Sequence, residues 1–130
     1  MIFDIDRTAR PNEVLLKADF SNAYGVGGFS SGKCSVIVTA NKIVVNYEYI
    51  NQKIGDATVG SRAIMIDSIR ELHLVKRKDD RGVENRVFLA YDPKGGSNFI
   101  EIIQASATPM NIQIAEAVYN CILKTLNAPN

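Results

Sequence analysis

Cysteine, histidine, long apolar runs and surplus charge are scarce in this chain, and each shortage removes a class of function. The two cysteines, Cys34 and Cys121, are too few for a disulfide scaffold and lack the C-x-x-C spacing of metal or redox sites. A disulfide between them is open to the sequence, but buried thiols in a reducing compartment are the expected state. The single histidine, His73, has no thiolate or carboxylate partners at zinc-ligand spacing. Fifteen Lys and Arg stand against fourteen Asp and Glu, a net charge of +1. A duplex-DNA binder carries a basic face and a high pI, so nucleic acid is not the expected partner. The longest apolar stretches run three or four residues, as in Ala63-Ile64-Met65-Ile66, whereas a membrane span needs about twenty. Met1-Ile2-Phe3-Asp4-Ile5-Asp6 places acids where a secretory signal needs Lys or Arg before an apolar run. A cytoplasmic protein without a transmembrane segment is expected.

What is present is an ordinary globular composition: 130 residues, 46% hydrophobic and 22% charged, enough for one domain with one core. Residues 1–12, ending in Arg10-Pro11-Asn12, read as a loosely attached arm, and 13–130 as a single domain. From residue 13 the period is two: Val14, Leu16, Ala18 and Phe20 alternate with Lys17 and Asp19, the pattern of a half-buried strand. Residues 21–32, with four glycines, read as a flexible loop. Strands are expected over 33–40 and 42–50, around a tight hairpin at Asn41. The polar stretch 51–61 reads as a long connection. Further strands follow over 62–67, 71–78, 85–92 and 98–105, with turn chemistry at 78–82 and 92–96.

The period then changes. Thr108-Pro109 supplies an N-cap hydroxyl and a first-turn proline. Met110, Ile114, Ala117, Val118, Cys121, Ile122 and Leu126 recur at three and four, so 109–126 is an amphipathic helix. Asn111, Glu116, Asn120 and Lys124 are assigned to its solvent side.

Seven short antiparallel strands and a terminal helix must bury an apolar face and manage two edges. Closure into a small barrel plugged by the helix does both. Two stretches resemble the pleckstrin-homology-like family in its bacterial members: Gly32-Lys33-Cys34-Ser35-Val36-Ile37-Val38-Thr39-Ala40-Asn41-Lys42-Ile43-Val44, and Ile64-Met65-Ile66-Asp67-Ser68-Ile69-Arg70-Glu71-Leu72. The likeness spans about residues 13 to 127 and implies a mainly β (α+β) fold, a seven-stranded barrel capped by a C-terminal helix. It also implies a binding or assembly scaffold more often than an enzyme, although fold alone assigns no ligand.

Gly27, Gly32 and Lys33 match the G-x-x-x-x-G-K part of a phosphate-binding loop, but Cys34 stands where Mg²⁺ needs a hydroxyl. Ser35-Val36-Ile37-Val38 follows as a strand, where phosphate binding needs a helix N-terminus. In lipid-binding members of the resembled family, basic residues on the first two strands read inositol phosphates. Lys17 and Lys33 match the first two of those positions, while Ser35 replaces the clamp arginine. Lys76-Arg77-Lys78 with Arg81 is the densest basic group, and Asp79 and Asp80 dilute it. Tyr47, Tyr49, Phe88 and Tyr91 read as packing residues. Phe99 shares its alternation phase with Glu101 and is the candidate partner contact. No nucleophile elbow or Cys–His signature is present, so no catalytic residue, metal or cofactor is assigned. The expected function is non-catalytic: a module that engages a protein partner or self-associates through strand edges and loops. The alternative is a peripheral module that takes anionic lipid head groups through the 21–33 loop, with Lys17, Lys33 and Ser35 lining it.

Overall fold

Alternating apolar residues build most of this molecule, and the ladder they form is antiparallel throughout. The computed structural model describes residues 14–25, 30–51, 53–96 and 98–127; the expected arm over 1–12 lies outside them. Among the described residues, one sheet contains β1 (Val14–Tyr24), β2 (Ser30–Thr39), β3 (Lys42–Asn51), β4 (Ala57–Met65), β5 (Ile69–Lys78), β6 (Glu84–Pro93) and β7 (Ile100–Ser106). The strand order is β4-β3-β2-β1-β7-β6-β5. Helix α1 (Pro109–Leu126) follows, and a short 3-10 turn, Ile66–Ser68, links β4 to β5.

The expected hairpin at Asn41 is there, held by the residue before it. Thr39 Oγ1 accepts from the backbone N–H of Asn41 at 3.3 Å and of Lys42 at 3.1 Å. That hydroxyl, fully buried, fixes the β2–β3 register.

Two expected loops are largely ladder. β1 runs to Tyr24 and β2 starts at Ser30, pairing Ala23 with Gly32 and Tyr24 with Ser31. In the stretch read as a connection over 51–61, residues 57–61 are strand, in unbroken register with β3 from Ala57↔Ile50 to Ser61↔Asn46. Gly60 hides the alternation from sequence. It is the residue over which the Tyr47 ring lies, so closely that a Cβ there would collide with it. An aromatic ring over an edge-strand glycine replaces the cover that the missing side chain cannot give.

Phe20, Val36, Ile43, Ile64, Leu72 and Leu89, from six different strands, share one core with Ala115, Val118 and Ile122 of α1. The sheet therefore curls around that core. Its ends do not meet: among the described residues no ladder joins β4 to β5, so the sheet stays open where a barrel would close.

Helix α1 is present with the expected cap, Thr108 Oγ1 accepting from the Asn111 N–H at 3.1 Å. It is rotated from the expected face. Met110 and Ala117 are exposed, and the buried line is Asn111, Ala115, Val118 and Ile122. Asn111, assigned above to solvent by its polarity, is 0% exposed. Its Nδ2 donates to Ser21 O at 2.6 Å and Ser106 O at 3.0 Å, while its Oδ1 accepts from Ser21 N at 3.4 Å. These bonds fall where the β1 register slips between Phe20 and Ala23. The side-chain amide supplies hydrogen bonds that the ladder lacks at that slip, which is why a polar group sits at a core position. Both cysteines are free thiols, Cys34 buried and Cys121 partly so.

Candidate functional site

The sheet is most weakly joined at its centre. Among the described residues β1 pairs with β7 through Ala23↔Ala105 and Tyr24↔Gln104 alone. A cleft of about 310 Å³ opens there, between Tyr24, Tyr47, Tyr49 and Arg62 on one side and Glu101 and Ile102 on the other.

A slip in the β6–β7 ladder shapes its floor. Leu89 pairs with Ile103 and Ala90 with Glu101, leaving Ile102 as the extra residue. A bulge of this kind turns successive carbonyls out of the ladder. Arg62 reaches across from β4, and its Nη2 donates to Glu101 O at 2.5 Å and Ile102 O at 2.7 Å. Arg62 is in phase with the buried Ile64, so a charged group points inward to a site that only the curled sheet creates.

The remaining polar groups form a chain of partners. Gln104 Nε2 donates to Glu101 Oε1 at 2.9 Å, and Arg86 Nη1 donates to Gln104 Oε1 at 2.6 Å. The Arg86 guanidinium lies 3.5 Å from the centre of the Tyr24 ring. Tyr24 Oη and Ser106 Oγ share a hydrogen bond of 2.8 Å. Burial pushes the Glu101 carboxyl above the usual range, with the Gln104 amide and then Arg62, Arg77 and Arg86 pulling the other way. Burial likewise pushes the Cys34 thiol up to about 12, outweighing its bond with Tyr49. The Tyr49 hydroxyl is raised by burial and by Cys34. The rings of Tyr47 and Tyr49 stack with centroids 5.1 Å apart. Among the described residues no buried side-chain nitrogen or oxygen lacks a partner. This network braces the two halves of the sheet. Burial moves the Cys34 thiol in the direction opposite to that of an activated thiolate.

The residues singled out from sequence lie elsewhere. Lys17, Lys33 and Ser35 share the outer face of β1 and β2. Lys17 pairs with Ile37, four positions along β2 from Lys33, which separates the two lysine rows by about 13 Å. Asp19 lies opposite Ser35, whose Oγ donates to Asp19 Oδ1 at 2.5 Å, and Lys33 lies opposite Glu48. Each lysine thus has an acid nearby and the pair does not converge. Gly32 and Lys33 are inside β2, with strand and not helix after them.

Phe99 precedes β7 and is 55% exposed, its ring 5.3 Å from that of His73. His73 Nε2 is 3.0 Å from Asp92 Oδ2, and Arg70 Nη2 is 3.6 Å from the same oxygen. Glu71, His73 and Asp92 bring one ligand atom each within 4.8 Å of one another. Asp92 already has two partners in that cluster, and Phe99 packs on the imidazole.

The open ends of the sheet differ in chemistry. The outward residues of β4 are Ala57, Val59, Ser61, Ala63 and Met65, with no charge, no proline and no slip against β3. Val59 (44%), Met65 (47%) and, next to them on β3, Ile50 (46%) are exposed. This edge is the strongest candidate interaction site of the described residues. Sequence alone hides this edge, because residues 57–61 read as part of a polar connection. No protein-family model matches the chain, and no curated protein matches it either.

Proposed function

We propose that this chain is a non-catalytic binding and assembly module of the pleckstrin-homology-like type, which engages an extended protein segment along β4. The strand order and the C-terminal helix packed into the core support the family reading. The observation that carries the functional reading is the β4 edge: nine residues in unbroken register, uncharged on the outer face, with exposed apolar side chains. An edge with free N–H and C=O groups is a template for a further strand, main-chain bonds giving affinity and alternate side chains specificity. The lipid reading has less support, because Asp19 and Glu48 stand beside Lys17 and Lys33.

An array of extended peptides, including the chain's own 57–65 segment, tests the proposal. The protein should be retained on some of them, and Val59→Lys should abolish retention without lowering the melting temperature. Retention that ignores Val59→Lys, or no retention at all, would overturn the edge as the binding site.

A further inference from the structure

We infer that the occupant of the β4 edge is a second copy of this chain, bound antiparallel about a twofold axis at Ser61; the inference rests on the edge reading above. Two identical edges that pair antiparallel are related by a twofold axis perpendicular to the sheet, which keeps inner faces with inner faces. The register must therefore be centred on a residue. Centring on Arg62 sets two guanidinium-bearing residues directly opposite each other, and centring on Gly60 leaves Ile64 and Met65 without partners. Centring on Ser61 pairs all nine residues of β4, Ala57↔Met65 through Met65↔Ala57. It also places Arg62, the one charged residue of the strand, opposite Gly60, which has no side chain to oppose it.

The neighbouring β3 strand extends this complementarity across the seam. The known pairs Ile50↔Ala57 and Lys42↔Met65 become a row of Ile50, Ala57, Met65 and Lys42, the last two from the second copy. Met65 of one copy is then separated from Ile50 of the other by the single small residue Ala57, and the lysine stem flanks the row. The row through the axis is Asn46, Ser61, Ser61 and Asn46. Ser61 Oγ already bonds Asn46 Oδ1 at 2.7 Å, and serines facing each other across strands are compatible neighbours. Val59 faces Ala63 of the other copy, so no like charges are opposed anywhere along the seam. The exposed apolar groups of this edge, Ile50, Val59 and Met65, all lie on the outer face that the pairing extends.

The test uses the whole chain in gel filtration with light scattering over a concentration series. The parent should move from 14.3 kDa toward twice that mass as concentration rises. Ser61→Lys should be monomeric, because its ammonium meets its own copy at the axis, and Ser61→Asp should be monomeric for the same reason. An equimolar mixture of the two variants should recover a heterodimer, an outcome expected only if residue 61 faces itself. Circular dichroism melts of each variant confirm that the fold survives. A parent that stays monomeric at every concentration, a dimer that survives Ser61→Lys, or a mixture that stays monomeric would each overturn the inference. If the parent is monomeric but peptide retention still depends on Val59, the second-copy assignment fails and the edge reading stands.

Discussion

The two outer strands of this sheet face the same hazard and answer it differently. β5 carries Arg70, Glu71, Lys76, Arg77 and Lys78 and slips register near both ends, between Ile69 and Glu71 and between Arg77 and Lys78. Charges and irregularities of this kind keep a strand edge from recruiting another chain. Some of the charges have local work as well: the Arg77 guanidinium sits 4.8 Å from the Phe88 ring, and Lys76 Nζ lies 3.9 Å from Glu116 of α1. Among the described residues β4 has none of these guards. Its arginine is turned inward to hold β7, and its outer row is small or apolar. Among the described residues, one sheet thus has a charged, irregular end and a regular one with an uncharged outer row, and the proposed contact is placed on the latter.

The largest effect should come from cutting the brace beneath β4. Arg62→Met leaves the carbonyls of Glu101 and Ile102 without their donor, and denaturant unfolding should show a loss of about 2–3 kcal/mol. Hydrogen exchange should speed up in β4 and in the first half of β7 while β5 and β6 keep their protection. Next, Tyr47→Ala uncovers Gly60 and removes one ring of the stacked pair; for this half-buried tyrosine a loss of about 2 kcal/mol is expected from the same measurement. If β4 stays as protected as before in either variant, the brace is not what holds the open end.

A smaller effect depends on pH. The folded-state pKa of Glu101 is raised above its ordinary 4.5. Its contribution is therefore fully present below that ordinary value and is lost as pH rises through the raised one. Glu101→Gln keeps an acceptor for Gln104 and removes the buried charge. Thermal melts should find the variant more stable near neutrality and no more stable in acid. An advantage that is equal at both pH values would mean that burial of the charge is not the cause.

The smallest change in stability should reveal most about the contrast between the edges. Lys76→Thr with Lys78→Thr removes two charges from exposed positions on β5, with an expected stability change within about 0.5 kcal/mol. Light scattering should nevertheless show association beyond that of the parent, because the β5 edge has lost part of its guard. If this variant associates no more than the parent, charge is not what protects β5, and the slips in its ladder are the better explanation.

Much of this architecture was legible in local sequence, because its cause is local. The alternation of β1, the hairpin chemistry at Thr39-Ala40-Asn41-Lys42 and the capped start of α1 each depend on neighbours a few residues away. What escaped depends on distant partners. The role of Arg62 is not readable locally, since its acceptors sit 39 and 40 positions later at a bulge. The start of β4 was lost behind Gly60, whose cover comes from Tyr47 on another strand. Asn111 was assigned by residue type to the wet side of its helix. Its true partners include Ser21, 90 positions away. The best overlooked signal was Arg62 itself, a charge in phase with Ile64 on a core-facing row.

Asn111 also sets the order in which the molecule can be completed. The bonds it makes to Ser21 and Ser106 fasten the first strand to the last one, and they come from a helix that follows every strand in the chain. During synthesis β1, β2 and β3 can zip as local hairpins, but the slip after Phe20 keeps unmet backbone groups until residue 111 has emerged. Without the helix, the N–H and C=O of Ser21 at that slip lose the side-chain partner they have in the finished fold, so the last element of the chain completes the first.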